Sequence, residues 1–182
     1  MYCSEKTEQE KVWYAMRALY RTEFKTQSVL TDAGIRTFLP VKETIITRQG
    51  RRRKAKVPAV SSLIFVHSTE PELSPFTARD SKFQFIFRRG GKANEPLVVP
   101  ERQMENFIRV CELSEKHQFY SPEELNLARG TRIRIIGGVL DGTEGTLLKV
   151  SGARSRKLVV SIPGTINVAV EVSPDLIEII KQ

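Results

Sequence analysis

The densest chemistry in the sequence is a run of cations. Between positions 42 and 56 stand Lys42, Arg48, Arg51, Arg52, Arg53, Lys54 and Lys56, with Glu43 as the single acid. Such a cluster concentrates anions around it, and nucleic acid is the polyanion that fits the footprint. A solvated basic loop is the bland alternative. Side chains for covalent chemistry are scarce. His67 and His117 are the only histidines, and neither has a Cys or His at metal-ligand spacing. Cys3 and Cys111 stand far apart, which argues against a disulfide framework and a C-x-x-C site. Gly137-Gly138 and Gly142-x-x-Gly145 lack the order of a phosphate loop and read as turn residues, where positive φ is cheap for glycine. The expectation is therefore no catalytic residue, no metal, no cofactor and no enzyme.

The charge is unevenly distributed along the 182 residues: positions 1–110 hold 20 Lys and Arg against 12 Asp and Glu, and positions 111–182 hold nine of each. All of the net +8 thus lies in the first part. With 40% apolar residues and nine Phe the chain can bury a core. No apolar run approaches the roughly 20 residues that span a bilayer. The first ten residues are charged and do not read as a secretory signal. A cytoplasmic monomer without a membrane segment is expected.

The elements that must carry these residues can be read from periodicity. Residues 12–18 (VWYAMRA) form a strand, and 22–33 form a helix with Thr22 as N-cap and Gly34 closing it. Residues 35–40 and 41–47 are strand-like, and Gln49-Gly50 with the arginines after it marks a hairpin tip. An apolar strand at 57–67 follows, then a short helix within 71–82, a strand at 83–87 and a basic turn at 88–91. Such an order suggests an α+β domain with helices on an antiparallel sheet. Met104, Phe107, Ile108 and Cys111 have the spacing of an amphipathic helix over 100–112. Residues 113–128 turn polar and read as a linker. Five Val- and Ile-rich runs follow, at 131–136, 144–150, 157–162, 167–172 and 176–180, the pattern of a small all-β barrel. The expected domains are 1–112 and 129–182, joined by 113–128.

Two segments together resemble the NusG family of transcription factors. Gly130-Thr131-Arg132-Ile133-Arg134-Ile135, continuing through Gly138-Val139-Leu140-Asp141-Gly142 to Gly145, resembles the KOW motif of an SH3-like barrel. Trp13-Tyr14, a helix, Phe38-Leu39-Pro40, the basic hairpin and Leu63-Ile64-Phe65-Val66 resemble the family's N-terminal domain. The family pattern F-P-G-Y is here Val60-Ser61-Ser62-Leu63, and its G-P-F turn is Gly138-Val139-Leu140. These departures make the likeness closer to the specialised RfaH-like or UpxY-like antiterminators than to the housekeeping factor.

The resemblance implies a factor that binds the clamp of elongating RNA polymerase and suppresses pausing or termination, in the UpxY-like group at surface polysaccharide operons. It implies polymerase contacts at Tyr14, Val60, Leu63 and Phe65, and a second contact at Ser74 and Thr77. Core packing is the alternative for the apolar four. Arg48, Arg51, Arg52, Arg53, Lys54 and Lys56 would then lie near DNA at the transcription bubble. Val139, Leu140, Ile162 and Pro163 match the barrel positions that meet a small ribosomal subunit protein or the Rho termination factor. A ribosome-associated, RNA-binding KOW protein is the alternative of a different class.

Overall fold

A computed structural model describes residues 10–88 and 95–180. Backbone contacts divide the chain into two units, 1–99 and 100–182.

In the first unit β1 (Val12–Ala18) is central. It pairs antiparallel with β5 (Leu63–Ser68), which pairs with β2 (Arg36–Phe38). On its other side β1 meets β6 (Phe83–Phe85) and then β7 (Val98–Val99). Trp13, Tyr14, Ala15 and Met16 are all buried, as are Leu63 through Val66, so both strands read as continuous apolar runs. Helices α1 (Glu23–Asp32) and α2 (Glu70–Arg79) set Leu30 and Leu73 into one cluster with Tyr14, Met16, Ile64, Val66 and Phe83.

The helix starts differ in chemistry. Thr69 caps α2, its hydroxyl accepting from the Glu72 N–H at 3.3 Å. Thr22, expected to do the same for α1, instead donates its hydroxyl to the Leu19 carbonyl at 2.7 Å. Gly34 ends α1 at φ +76°, as its position suggested. The single strand expected at 57–67 is two: β4 (Arg51–Pro58) leaves a hairpin and β5 enters the sheet. Between them Ser62 takes φ +62°, which breaks the extended backbone. Of the basic turn expected at 88–91, residues 89–91 lie outside the described residues.

The second unit begins with α3 (Glu101–Leu113), which buries Met104, Phe107 and Val110 and packs on β11 (Arg156–Ile162) and β12 (Ile166–Glu171). The five expected runs become β9 (Thr131–Ile135), β10 (Glu144–Lys149), β11, β12 and β13 (Ile177–Ile179). A sixth strand, β8 (Gln118–Tyr120), lies within the stretch expected as a linker. It pairs with β12 through Asn167↔Tyr120, Val168↔Phe119 and Ala169↔Gln118. Leu125, from the same stretch, is buried with Leu148, Val159 and Ala169. The open edge of β12 explains this, since its unpaired N–H and C=O groups are satisfied by a short segment whose Phe119 and Tyr120 favour extended backbone. The strands follow one antiparallel path, β13-β9-β10-β11-β12-β8, and among the described residues no pairing joins its two ends. Such a sheet is compatible with a KOW domain.

Candidate functional site

The cation run folds as an isolated two-stranded hairpin. Strand β3 (Val41–Arg48) pairs with β4 over eight residues each, from Val41↔Pro58 to Arg48↔Arg51. Gln49 and Gly50 close it at φ +51° and +74°, the two positive values that a two-residue type I′ turn requires. At about 3.4 Å per residue the ladder extends roughly 27 Å. Its base is tied to the unit. Val41 packs against the core cluster, and the Ala59 N–H donates to the Pro40 carbonyl at 2.8 Å.

Alternation and register sort the side chains onto two faces. Lys42, Arg48, Arg51 and Arg53 share one face, with Thr44, Ile46, Ala55 and Val57. Arg52, Lys54 and Lys56 share the other, with Glu43, Ile45 and Thr47. Every one of the seven cations is exposed, and among the described residues no ion pair takes any of them. Arg48 stands directly opposite Arg51, an arrangement that costs stability unless something negative sits between them. Ile45 and Ile46 are 65% and 40% exposed at mid-hairpin, one on each face. An extended, doubly basic ribbon with apolar side chains midway can grip phosphates while its isoleucines meet sugar or base surface.

The hairpin's exit is held by a contact that sequence reading missed. Glu23, only 3% exposed, accepts the Ser62 N–H on Oε1 at 2.7 Å. The bond stabilises Ser62 in the left-handed region, which is costly for a residue with a Cβ. An acid in the first turn of a helix gives no hint of a partner 39 positions away.

The six residues expected to face a polymerase do not lie on one surface. Ala15↔Phe65 and Arg17↔Leu63 are cross-strand pairs, so Leu63 and Phe65 share one face of the sheet. Tyr14 lies on the opposite face, in the cluster under the helices, its ring edge-on to Phe85 at 5.3 Å. Burial first, then the Glu70 carboxylate, raises the Tyr14 hydroxyl above its ordinary range. Leu63 and Phe65 are fully buried, and Val60 is half-buried in the turn before them. Ser74 is exposed on α2, with its carbonyl accepting from the Thr77 hydroxyl at 3.2 Å. The four residues expected to meet a partner in the second unit also divide. Val139 and Pro163 are exposed, whereas Leu140 and Ile162 are buried.

The two histidines sit in local contacts. His67 lies against the Trp13 ring at 5.1 Å, and Arg36 lies over the same ring at 5.1 Å. His117 Nδ1 is 2.6 Å from the Ser114 carbonyl, and its ring stands edge-on to Phe119. Among the described residues no group of His, Cys, Asp or Glu is placed to hold a metal. Burial pushes the Cys111 thiol far above its ordinary range. Gly137, Gly138 and Gly142 have positive φ, as a glycine turn requires. Gly145 does not. Its hydrogen is required because a Cβ there would lie 2.5 Å from the Val159 carbonyl oxygen.

Comparison with known proteins places this architecture. A family model described as "Transcription termination factor nusG" matches residues 11–108, all of the first unit's sheet and most of α3. No curated protein matches the sequence. Among solved structures, one titled "Domain interaction in Thermotoga maritima NusG" is similar at 20% identity and a TM-score of 0.48, covering 94% of this chain and 98% of that one.

Proposed function

The chain belongs to the NusG family, and from that premise we propose that it is a non-enzymatic transcription elongation factor that binds elongating RNA polymerase and suppresses pausing or termination. The observation that carries the reading is that the family match encloses the basic hairpin, a ribbon of exposed cations beside a packed α+β body. The body docks on the polymerase clamp, and the hairpin reaches DNA near the transcription bubble. There it supplies affinity through phosphates without reading sequence. Such a factor works by differential affinity: it favours the active polymerase only by as much as it binds that state better.

The docking face contains Leu63, Phe65 and Val60. Leu63 and Phe65 are buried in this conformation, so docking through them requires that the face be uncovered. Tyr14 supports that face from the other side of the sheet, while Ser74 and Thr77 offer a separate polar contact on α2. In the second unit Val139 and Pro163 meet a recruited protein, a small ribosomal subunit protein or Rho, and Leu140 and Ile162 hold the turns that present them.

A specialised antiterminator of the RfaH-like or UpxY-like kind, serving surface polysaccharide operons, is the finer reading. Ser61-Ser62 stands where the housekeeping pattern has Pro-Gly, and Ser62 keeps the left-handed backbone that glycine would adopt freely, with Glu23 as the compensating partner. Purified core polymerase on a template with a defined pause tests the proposal. Added protein should shorten the pause and co-migrate with the complex. An unchanged pause with no association would overturn it.

A further inference from the structure

We propose that the helix side of the first unit carries a docking groove for an acidic segment of a partner protein, anchored by one large apolar side chain. The groove lies between α1 and α2 and has a volume of about 210 Å³. Leu30 and Phe83 of the core cluster line it, and Phe76 packs against that cluster from α2. Tyr14 belongs to the same cluster, so the groove is on the opposite side of the sheet from Leu63 and Phe65. The contact therefore goes beyond the function proposed above, which assigns polymerase to the other face, and both partners can be held at once.

Thr22, Lys25, Thr26 and Val29 stand at i, i+3, i+4 and i+7, so α1 turns one stripe into the groove. Val29 stays 46% exposed in that stripe, which leaves apolar surface open to water. The rim is cationic. Lys25, Arg79 and Lys82 border it, all exposed, and among the described residues no ion pair takes any of them. The one acid there, Asp80, accepts the Lys82 N–H on Oδ1 at 2.9 Å. Arg79, in the last turn of α2, is favoured by the helix dipole, but Lys25 stands in the first turn of α1, where a cation opposes it. A partner's carboxylate accounts for Lys25 where folding does not. The chain also enters α1 through two consecutive left-handed residues, Tyr20 at φ +59° and Arg21 at φ +61°, a costly conformation for residues with a Cβ. A bond from the Leu19 N–H to the Lys82 carbonyl at 2.8 Å ties that entry to the rim. It presents Tyr20 78% exposed, and Tyr and Arg are side chains on which protein interfaces concentrate their binding energy.

Charge and size choose the occupant. Three rim cations against one acid complement an acidic segment and steer its approach. The volume is below the roughly 300–1,000 Å³ of small-molecule sites, so the groove accepts one apolar side chain and leaves the rest of its ligand outside, as peptide recognition does. Nucleic acid is served less well. Its phosphates would find the cations, but Val29 and Leu30 are aliphatic and offer no flat ring for a base, and one face of the Tyr20 ring already lies beneath the Lys82 ammonium, 5.9 Å from the ring centre.

The test uses the full chain with Arg51→Ala, Arg52→Ala and Arg53→Ala, which keeps acidic probes off the hairpin tip. Labelled with ¹⁵N, it is titrated with a synthetic 12-residue peptide of Asp and Glu around a single central Phe. The amides of Thr26, Val29 and Arg79 should shift. Exchanging the peptide's Phe for Ala should weaken binding by about tenfold or more, as the loss of a buried anchor does. Adding Lys25→Ala and Lys82→Ala, both at exposed positions, should weaken the Phe peptide and flatten its salt dependence. Equal binding of the Phe and Ala peptides, shifts that avoid α1 and α2, or an unaltered salt dependence would each overturn the proposal. So would a 12-nucleotide single-stranded DNA that shifts the same amides and binds more tightly than the peptide, which would make the groove a nucleic-acid site. Because the anchor is exchanged in the peptide, a folding defect in the protein variant leaves that comparison intact. The pause assay above reports on polymerase binding separately.

Discussion

The two faces of the β3–β4 hairpin can be neutralised independently, and the register states which residues to change. Arg51→Ala with Arg53→Ala strips two of four cations from one face, and Arg52→Ala with Lys54→Ala strips two of three from the other. Each duplex phosphate that the protein no longer neutralises lowers the slope of log affinity against log salt by about 0.9, so releasing two phosphates lowers it by about 1.8. Between 50 and 200 mM salt, a slope smaller by that amount spares the variant roughly twelvefold of the affinity that the unaltered chain loses. The hairpin itself should survive either change. All four side chains are exposed, and removing Arg51 relieves its repulsion with Arg48, a gain of about 0.2–1 kcal/mol. The assay is fluorescence anisotropy on a duplex with an open bubble across that salt range. If the ribbon lies with one face on the backbone, one variant shows the whole drop and the other none. If it enters a groove, both show it. Unchanged slopes in both variants would refute the assignment and leave the hairpin as a solvated basic arm.

Three further outcomes follow from the geometry. Gly145→Ala drives a Cβ to within 2.5 Å of the Val159 carbonyl oxygen, so urea unfolding of the second unit should show a loss of about 1–3 kcal/mol; less than about 0.5 would mean that β10 and β11 separate freely. Glu23→Ala leaves the Ser62 N–H without its acceptor and should cost about 1–3 kcal/mol, whereas Glu23→Gln, which keeps an oxygen in place, should recover most of it; equal losses would show that the hydrogen bond is incidental. The Glu72 carboxyl is held below its ordinary range by the Ser68 hydroxyl and then by Lys11, so its stabilising contribution is present above the unfolded value and fades as pH falls through the folded one. Carboxyl ¹³C titration should show Ser68→Ala moving that midpoint upward, and an unmoved midpoint would contradict the assignment.

Much of the architecture was legible from local pattern because its causes are local. Glycine after the last periodic residue ends α1, Gln49-Gly50 closes the hairpin, and β-branched runs between turn residues become β9 to β13. The basic ribbon was visible as composition, but its division into two faces required the pairing register.

What the tertiary structure alone decided depends on partners distant in sequence. Gln118-Phe119-Tyr120 carries the β propensity of its two aromatics but is too short among polar neighbours to read as a strand, and the open edge of β12 makes it β8. Tyr14 and Phe65 looked equivalent as apolar strand residues. The offset between β1 and β5 sends their side chains to opposite faces, since a shift of one residue in register exchanges the faces of a whole strand. Leu140 turned inward and Val139 outward at adjacent positions of one turn, and Arg154 and Lys157 came to border a cleft together with Gln118 and Tyr120 of β8. Local sequence carries propensity, whereas a surface is assembled from segments that meet only once the chain has folded.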